Sequence, residues 1–255
     1  MGSGPDPKPG GLLKSLAMPD SPLRSARCFA LVPCAGVGLR AGGRGPKQYA
    51  ALAGQAVVAH TLQALAAVPA LTATLVVLSP DDTVFERYAP AFAGWVARSG
   101  GATRADSVAA GLVALRGHGA LDSDWVLVHD AARCLLRPDW VARLINACVD
   151  DAVGGLLALP LADTLKSAQR EGGERVASTL DRSHKWLAQT PQMFRLGLLQ
   201  HALAAGQAAG IPITDESSAV EALGLAPLLV PGDQENLKLT WPADFALAAR
   251  LLETR

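Results

Sequence analysis

Four short, nearly unbroken apolar runs, CFALVPC, ATLVVLS, WVLVHD and GGLLALPL, begin at Cys28, Ala73, Trp125 and Gly154. A run that is apolar at successive positions, rather than at alternate ones, suits a strand covered on both faces. Between the runs lie stretches with a helical apolar period, among them Val57 to Val68, Ala105 to Arg116 and Trp140 to Val149. This alternation specifies an α/β fold: a doubly wound, mostly parallel, Rossmann-like sheet with helices on both faces. In such sheets ligands bind beyond the carboxyl ends of the strands, so the residues just after each run are the first candidates for chemistry.

From Thr164 to Leu187 the alternation breaks, and two strand-like runs, TLKSA and RVASTL, flank the polar tip QREGGE. The paired glycines suit a hairpin turn, so residues 162–188 are read as a projecting β-arm. A lone hairpin is marginal in water, and either its own domain or a second copy of the chain would have to cover it. Later elements are helices around Leu196 to Ala204 and Asp215 to Leu223, a strand in APLLVPG, the segment ENLKLT and a last helix opened by Pro242. Residues 1–26 are rich in Gly, Pro and Ser without an apolar period, and are expected to be a disordered extension before a single domain at 27–255.

The 255 residues, 50% hydrophobic, can bury one large core. Lys plus Arg and Asp plus Glu number 23 each, so the total charge points to neither a nucleic-acid nor a membrane partner. Any anionic ligand must be met by local cations. No apolar run reaches the ~18 residues of a spanning helix, and the N-terminus lacks a secretory pattern, so a cytoplasmic location is expected. Cys28, Cys34, Cys134 and Cys148 show no zinc spacing and no disulfide framework, which leaves them as small reduced side chains.

The segment after the first run carries Gly36, Gly38, Gly42, Gly43 and Gly45 together with Arg40 and Lys47. Backbone N–H groups of such a loop can wrap a phosphate while the two cations neutralise it. The spacing matches neither a dinucleotide loop, which needs a third glycine, nor a P-loop, which needs Gly-Lys-Ser/Thr.

PCAGVGLR followed by GPKQY resembles the nucleotide-binding signature of the sugar nucleotidyltransferases, and PKQY is similar to the methylerythritol phosphate cytidylyltransferase branch. GGATRADSV, VLVHDAAR, ADTLK, LDR, QTPQMF, ITDESSAVE and NLKLT follow in the order of that family, so the resemblance covers Cys28 to the C-terminus. It implies transfer of the cytidylyl group of CTP to a polyol phosphate with release of pyrophosphate. Methylerythritol phosphate is the expected acceptor, and ribitol 5-phosphate is the alternative. Mg²⁺ held mainly by the triphosphate, and a homodimer formed through the β-arm, are also implied. A second enzymatic domain, fused in some relatives, is not expected.

Residue roles follow from the same resemblance. Arg40 and Lys47 would stabilise the transition state, because the reaction gathers negative charge and needs cations more than a base. Pro33, Cys34, Ala35, Gly36, Gly38, Gly101 and Ser107 would bind the nucleotide, as would Lys238, which also borders the acceptor. Asp130, Arg133, Thr164, Arg182 and Thr190 would bind the acceptor, with Thr164 and Arg182 supplied by the partner subunit. No residue is assigned to a metal. Each role has a structural counterpart: Arg40 and Lys47 as solvated cations, Ser107 as a helix-start residue turned to solvent, Asp130 and Arg133 as an ion pair, the threonines as strand formers. His129 is read as packing, and Asp215 and Glu216 as an N-cap with a first-turn acid. Ala102 and Cys134 stand where the family usually has an acidic residue and a proline.

Overall fold

The computed structural model describes residues 26–36, 45–169 and 174–255. The chain begins with β1 (Cys28–Pro33), a 3-10 turn (Lys47–Tyr49), β2 (Ala51–Leu52), β3 (Gln55–Ala56), α1 (Val57–Ala66) and β4 (Leu71–Val77). It goes on through α2 (Phe85–Tyr88), β5 (Trp95–Ala97), α3 (Arg104–Gly117), β6 (Trp125–Val128), α4 (Pro138–Cys148) and β7 (Gly154–Pro160). The last third holds β8 (Leu165–Ala168), β9 (Val176–Leu180), β10 (Trp186–Arg195), α5 (Leu196–Ala208), α6 (Glu216–Glu221), β11 (Leu228–Pro231) and α7 (Pro242–Glu253). Of the expected extension, residues 1–25 lie outside the described residues, whereas Ala26 packs against the core.

Seven strands form one sheet in the order β11-β7-β10-β6-β1-β4-β5. All neighbours are parallel except the two pairs that β10 makes with β6 and β7. The four apolar runs are β1, β4, β6 and β7, and their unbroken hydrophobicity has a direct cause. Alternate side chains point to opposite faces, and both faces are covered. Ala30, Val32 and Leu127 join α1 and α4 residues such as Leu62, Leu65, Trp140 and Leu144 in one core layer. Phe29, Leu31, Val126 and Val128 face the other way, onto Val108, Leu112 and Leu115 of α3 and Leu199 and Leu203 of α5. All four cysteines are free and buried.

From β1 the chain winds outward to β4 and β5, then returns to place β6 on the other side of β1. The carboxyl ends of β1 and β6 therefore flank a switch point, where loops diverge and leave a crevice.

Two features depart from the sequence reading. QTPQMF belongs to β10, a central antiparallel strand, although Pro191 would ordinarily argue against one because it offers no N–H to the ladder. The register shifts between Ala188 and Gln192, so Pro191 sits where pairing with β7 is interrupted. The short α2 and β5 escape notice because three or four residues show no period. The runs TLKSA and RVASTL do pair antiparallel, Leu165 opposite Leu180, as a separate two-stranded hairpin.

Gly154 opens β7 with φ +108, and a Cβ there would lie 2.2 Å from the Met193 carbonyl oxygen on β10. Gly117, at the end of α3, has nothing within 4 Å of such a Cβ. Gly154→Ala is expected to lower unfolding free energy by about 2–3 kcal/mol, since strain and collision add. Gly117→Ala should leave it unchanged or raise it by up to ~1 kcal/mol. Urea denaturation of both variants checks the contrast, and equal midpoints would refute it.

Candidate active site

Three chain segments meet at the switch point. The first is the turn after β1, where the Cys34 N–H bonds the Val77 carbonyl at 2.7 Å and keeps the strand end beside β4. Gly38 and Arg40 lie outside the described residues. The 3-10 turn that follows sends its three side chains in three directions. Lys47 Nζ donates to the Leu239 carbonyl at 3.0 Å, and Gln48 Nε2 donates to the Cys34 carbonyl at 3.0 Å. Tyr49 bonds the Asp82 carboxylate through its hydroxyl and stacks on Tyr88 with ring centroids 4.8 Å apart. Gln48 thus ties the turn bearing Lys47 to the backbone just after β1. The motif GPKQY marks this turn, yet only its lysine was given a role from sequence.

The second segment is the loop before α3. Gly100 donates to the Leu78 carbonyl at 2.8 Å, and a Cβ on it would stand 2.3 Å from the Ala35 Cβ, so only glycine lets the two loops touch. Ser107 is buried and does not turn to solvent. Its hydroxyl accepts from the Gly101 N–H at 3.2 Å and donates to the Thr103 carbonyl at 3.0 Å, holding the loop closed. Thr103 and Asp106 form a reciprocal capping box that starts α3 one residue before Ala105. Ala102 is exposed.

The third is HDAAR after β6, which meets β10 and the segment before α7. Asp130 is buried, and its carboxylate takes Arg104 Nε on Oδ1 at 2.8 Å and Lys238 Nζ on Oδ2 at 2.7 Å. Arg133 Nε stands 3.9 Å from Oδ2, while its terminal nitrogens donate to the Asn236 carbonyl at 2.6 Å and the Ala188 carbonyl at 3.4 Å. Burial is the largest influence on Asp130 and opposes its charge, but Arg104, Lys238 and Arg133 together outweigh it and hold the carboxyl well below the usual range. Asp130 therefore stays ionised.

His129 packs, as the sequence suggested. Its Nε2 is 3.1 Å from the Arg133 carbonyl, which can only accept, so Nε2 carries the proton. Nδ1 then accepts from the Thr190 hydroxyl at 3.1 Å, and that oxygen accepts the Asp130 N–H at 3.0 Å. Thr190 meets Asp130 from the protein side rather than from open space. Asn236, fully buried, donates to the Thr190 carbonyl at 2.8 Å.

Arg104 and Glu216 were given no active-site role by the sequence, and the structure places both in this cluster. Asp215 does cap α6 reciprocally with Ser218. Glu216 is the first-turn acid of that helix, and it is also buried, 1% exposed, and grips Arg104 at 2.6 and 3.0 Å. The helix-start pattern marked its backbone position but could not reveal a partner 112 residues away. Thr164 and Arg182 are brought to no part of this cluster; both are exposed on the hairpin, and no side-chain hydrogen bond joins them to it among the described residues. Among the described residues no group of three or more His, Cys, Asp or Glu side chains could hold a metal ion, and no helix is long and apolar enough to cross a membrane.

Burial is the largest influence on His129 and brings its pKa from 6.5 to about 4. Since the folded-state value is lowered, the unfolded chain binds the extra proton, and stability is lost as pH falls from about 6.5 towards 4. The expected loss is of the order of 3 kcal/mol. In urea titrations across this window, the stability advantage of wild type over His129→Gln should shrink as pH falls, and a constant advantage would refute the assignment.

Comparison with known proteins places this geometry in a family. The model of the family described as 2-C-methyl-D-erythritol 4-phosphate cytidylyltransferase matches residues 28–254. An enzyme of that name from Laribacter hongkongensis is 53% identical over 234 residues, covering 89% of this chain and 96% of its own. The bifunctional enzyme IspD/IspF of Albidiferax ferrireducens is 60% identical over 230 residues, and the chain spans 54% of its length. A crystal structure titled 4-diphosphocytidyl-2C-methyl-D-erythritol synthase superposes with TM-score 0.79 at 43% identity, covering 89% of this chain and 99% of that one. The Francisella tularensis 2-C-methyl-D-erythritol 4-phosphate cytidylyltransferase superposes with TM-score 0.74 at 30% identity, covering 88% and 98%. A match across nearly all of the sheet and its crevice, in sequence and in backbone alike, makes the chain a member of the 2-C-methyl-D-erythritol 4-phosphate cytidylyltransferase family.

Proposed function

We propose that this chain transfers the cytidylyl group of CTP to 2-C-methyl-D-erythritol 4-phosphate, a step of isoprenoid precursor synthesis. The observation that carries the reading is the convergence of Lys47, Lys238 and Arg133 on one crevice at the switch point, in a chain of this family. An oxygen of the acceptor phosphate attacks the α-phosphorus of CTP, the bond to the β-phosphate breaks, and pyrophosphate leaves. The attacking phosphate is already ionised near neutral pH, so the protein supplies charge and alignment rather than a base. Lys47 faces the negative charge that grows during transfer, and Arg40 is assigned the same task. Pro33, Cys34, Ala35, Gly36, Gly38, Gly101 and Ser107 form the nucleotide side, with Lys238 between it and the acceptor. Asp130, Arg133 and Thr190 hold the acceptor side.

Asp130, the buried carboxylate after β6, is taken up by Arg104 and Lys238, so a divalent cation fits this site as a passenger on the triphosphate and its waters. Mg²⁺ so bound would add Lewis-acid charge to the triphosphate. We place the enzyme in the cytoplasm.

Thr164 and Arg182 complete the acceptor side from a second copy of the chain. Support comes from the arm itself: Val176 is 59% and Leu180 44% exposed on β9, and a two-stranded hairpin is marginal in water unless something covers it. A guanidinium at Arg182 suits a bidentate phosphate contact.

Pyrophosphate release should require CTP, the methylerythritol phosphate and Mg²⁺, with EDTA abolishing it and ribitol 5-phosphate a poor acceptor. Faster release with ribitol 5-phosphate would transfer the assignment to that acceptor, and full activity in EDTA would remove the metal. In the same assay Lys47→Ala should lower kcat by about a hundredfold or more with a smaller change in KM for CTP. A raised KM alone would demote Lys47 to ground-state binding.

The shared site makes a second prediction. Lys47→Ala and Arg182→Ala, each nearly inactive alone, should regain about a quarter of wild-type sites when mixed and reassociated, since half the dimers are mixed and each carries one intact site. Subunit exchange without recovered activity would place Arg182 in the site of its own chain.

A further inference from the structure

We infer that Arg104, gripped by the buried Glu216, is a positioning residue that sets the orientation of the Asp130 carboxylate for the acceptor. The inference rests on the assignment of Asp130 to the acceptor and adds two residues to it. Arg104 stands at the first turn of α3 and uses its guanidinium on two carboxylates at once. Nε donates to Asp130 Oδ1 at 2.8 Å, while Nη1 and Nη2 donate to Glu216 Oε1 and Oε2 at 2.6 and 3.0 Å. Only a planar fork can do this; an ammonium is a point charge and would have to choose.

Glu216 is in turn held from behind. Gln192 of β10 donates to the Asp215 carboxylate at 2.8 Å and accepts the Ser217 N–H at 2.8 Å, so α6 is fastened to the sheet on both sides of Glu216. A rigid helix start thus fixes Glu216, Glu216 fixes the fork, and the fork fixes Oδ1 of Asp130. Oδ2 is left facing Lys238. With the Asp130 N–H pinned on Thr190, the carboxylate has one orientation rather than several.

Removing the charge of Glu216 would free the fork to close on both oxygens of Asp130, in competition with Lys238 and with the hydroxyls of the acceptor. The loss should fall chiefly on acceptor binding, because the Gly101–Ser107–Thr103 bonds that hold the nucleotide loop do not involve the Arg104 guanidinium. A purely structural ion pair would instead lower thermal stability and move every kinetic constant together.

Glu216→Gln and Arg104→Lys are assayed by pyrophosphate release with CTP and 2-C-methyl-D-erythritol 4-phosphate, beside wild type. Both should raise KM for the acceptor by about tenfold or more while KM for CTP stays within about twofold. Failure of Arg104→Lys to restore acceptor KM shows that the fork, and not its charge, matters. In an Asp130→Asn background, Glu216→Gln should add no further rise, because the residue it acts through is already disabled. The inference is overturned if acceptor KM is unchanged in both variants, if both KM values shift together, or if Glu216→Gln has the same effect with and without Asp130. Should Glu216→Gln fail to fold, Arg104→Lys, which conserves charge, reads the same split. Absence of release from wild type removes the cytidylyl-transfer reading itself, whereas release from wild type with normal acceptor KM in the variants removes only the positioning role.

Discussion

A buried carboxylate, that of Asp130, is the charge around which the working end of this sheet is arranged. Taking such a group out of water costs several kcal/mol unless cations and hydrogen bonds replace the lost solvent. Here the replacement comes from far apart in the chain: Arg104 from the start of α3, Lys238 from the segment before α7, and Arg133 from its own turn. Neutralising one side chain therefore draws the ends of several elements into a single crevice. Arg104, Arg133 and Lys238 carry three positive charges and Asp130 and Glu216 two negative ones, so this network keeps a surplus of one positive charge. The chain as a whole has a formal net charge of zero, so the attraction for anions is local.

Backbone economy follows the same arrangement. Buried strands β1 and β6 leave no freedom in their direction, and the diverging loops at their carboxyl ends need internal fastening. Cys34, Ser107, Thr190 and Asn236 supply it through hydrogen bonds that stay within the protein. Groups held in place beforehand suit transfer between two anions, because alignment and fixed charge do the work that a base or nucleophile does elsewhere. His129 illustrates the point: it lies beside Asp130, yet burial keeps its ring neutral and its two nitrogens hold Arg133 and Thr190 in register.

Much of this could be seen in the chain beforehand, and the reasons differ by residue. The strands β1, β4, β6 and β7 were legible because burial on both faces writes an unbroken apolar run, and the long helices because burial on one face writes a period. Lys47, Asp130 and Lys238 stood out because each belongs to a short run whose order along the chain resembles a family, and the structure brings Lys238 onto Asp130 and Lys47 onto the neighbouring Leu239 carbonyl. By contrast, β10 was hidden by Pro191, a residue that obeys its local rule by sitting at a break in the ladder. Gln48 and Gln192 were visible inside motifs but had no meaning there, since an amide's role is defined by what it reaches.

What the sequence by itself determined is therefore the class of fold, the four apolar strands and the longer helices, because periodicity and caps are local properties of consecutive residues. The tertiary structure alone decided which charges pair. Arg104 lies 26 residues from Asp130 and 112 from Glu216, and nothing in the local pattern of any of the three distinguishes a solvated side chain from one gripped on both sides. Only the packing of α3 on β1 and β4, and of α6 on α5 with Gln192 fastening it to β10, brings these groups within 3 Å, and at that distance, with both carboxylates buried, Coulomb attraction and desolvation together set their orientation.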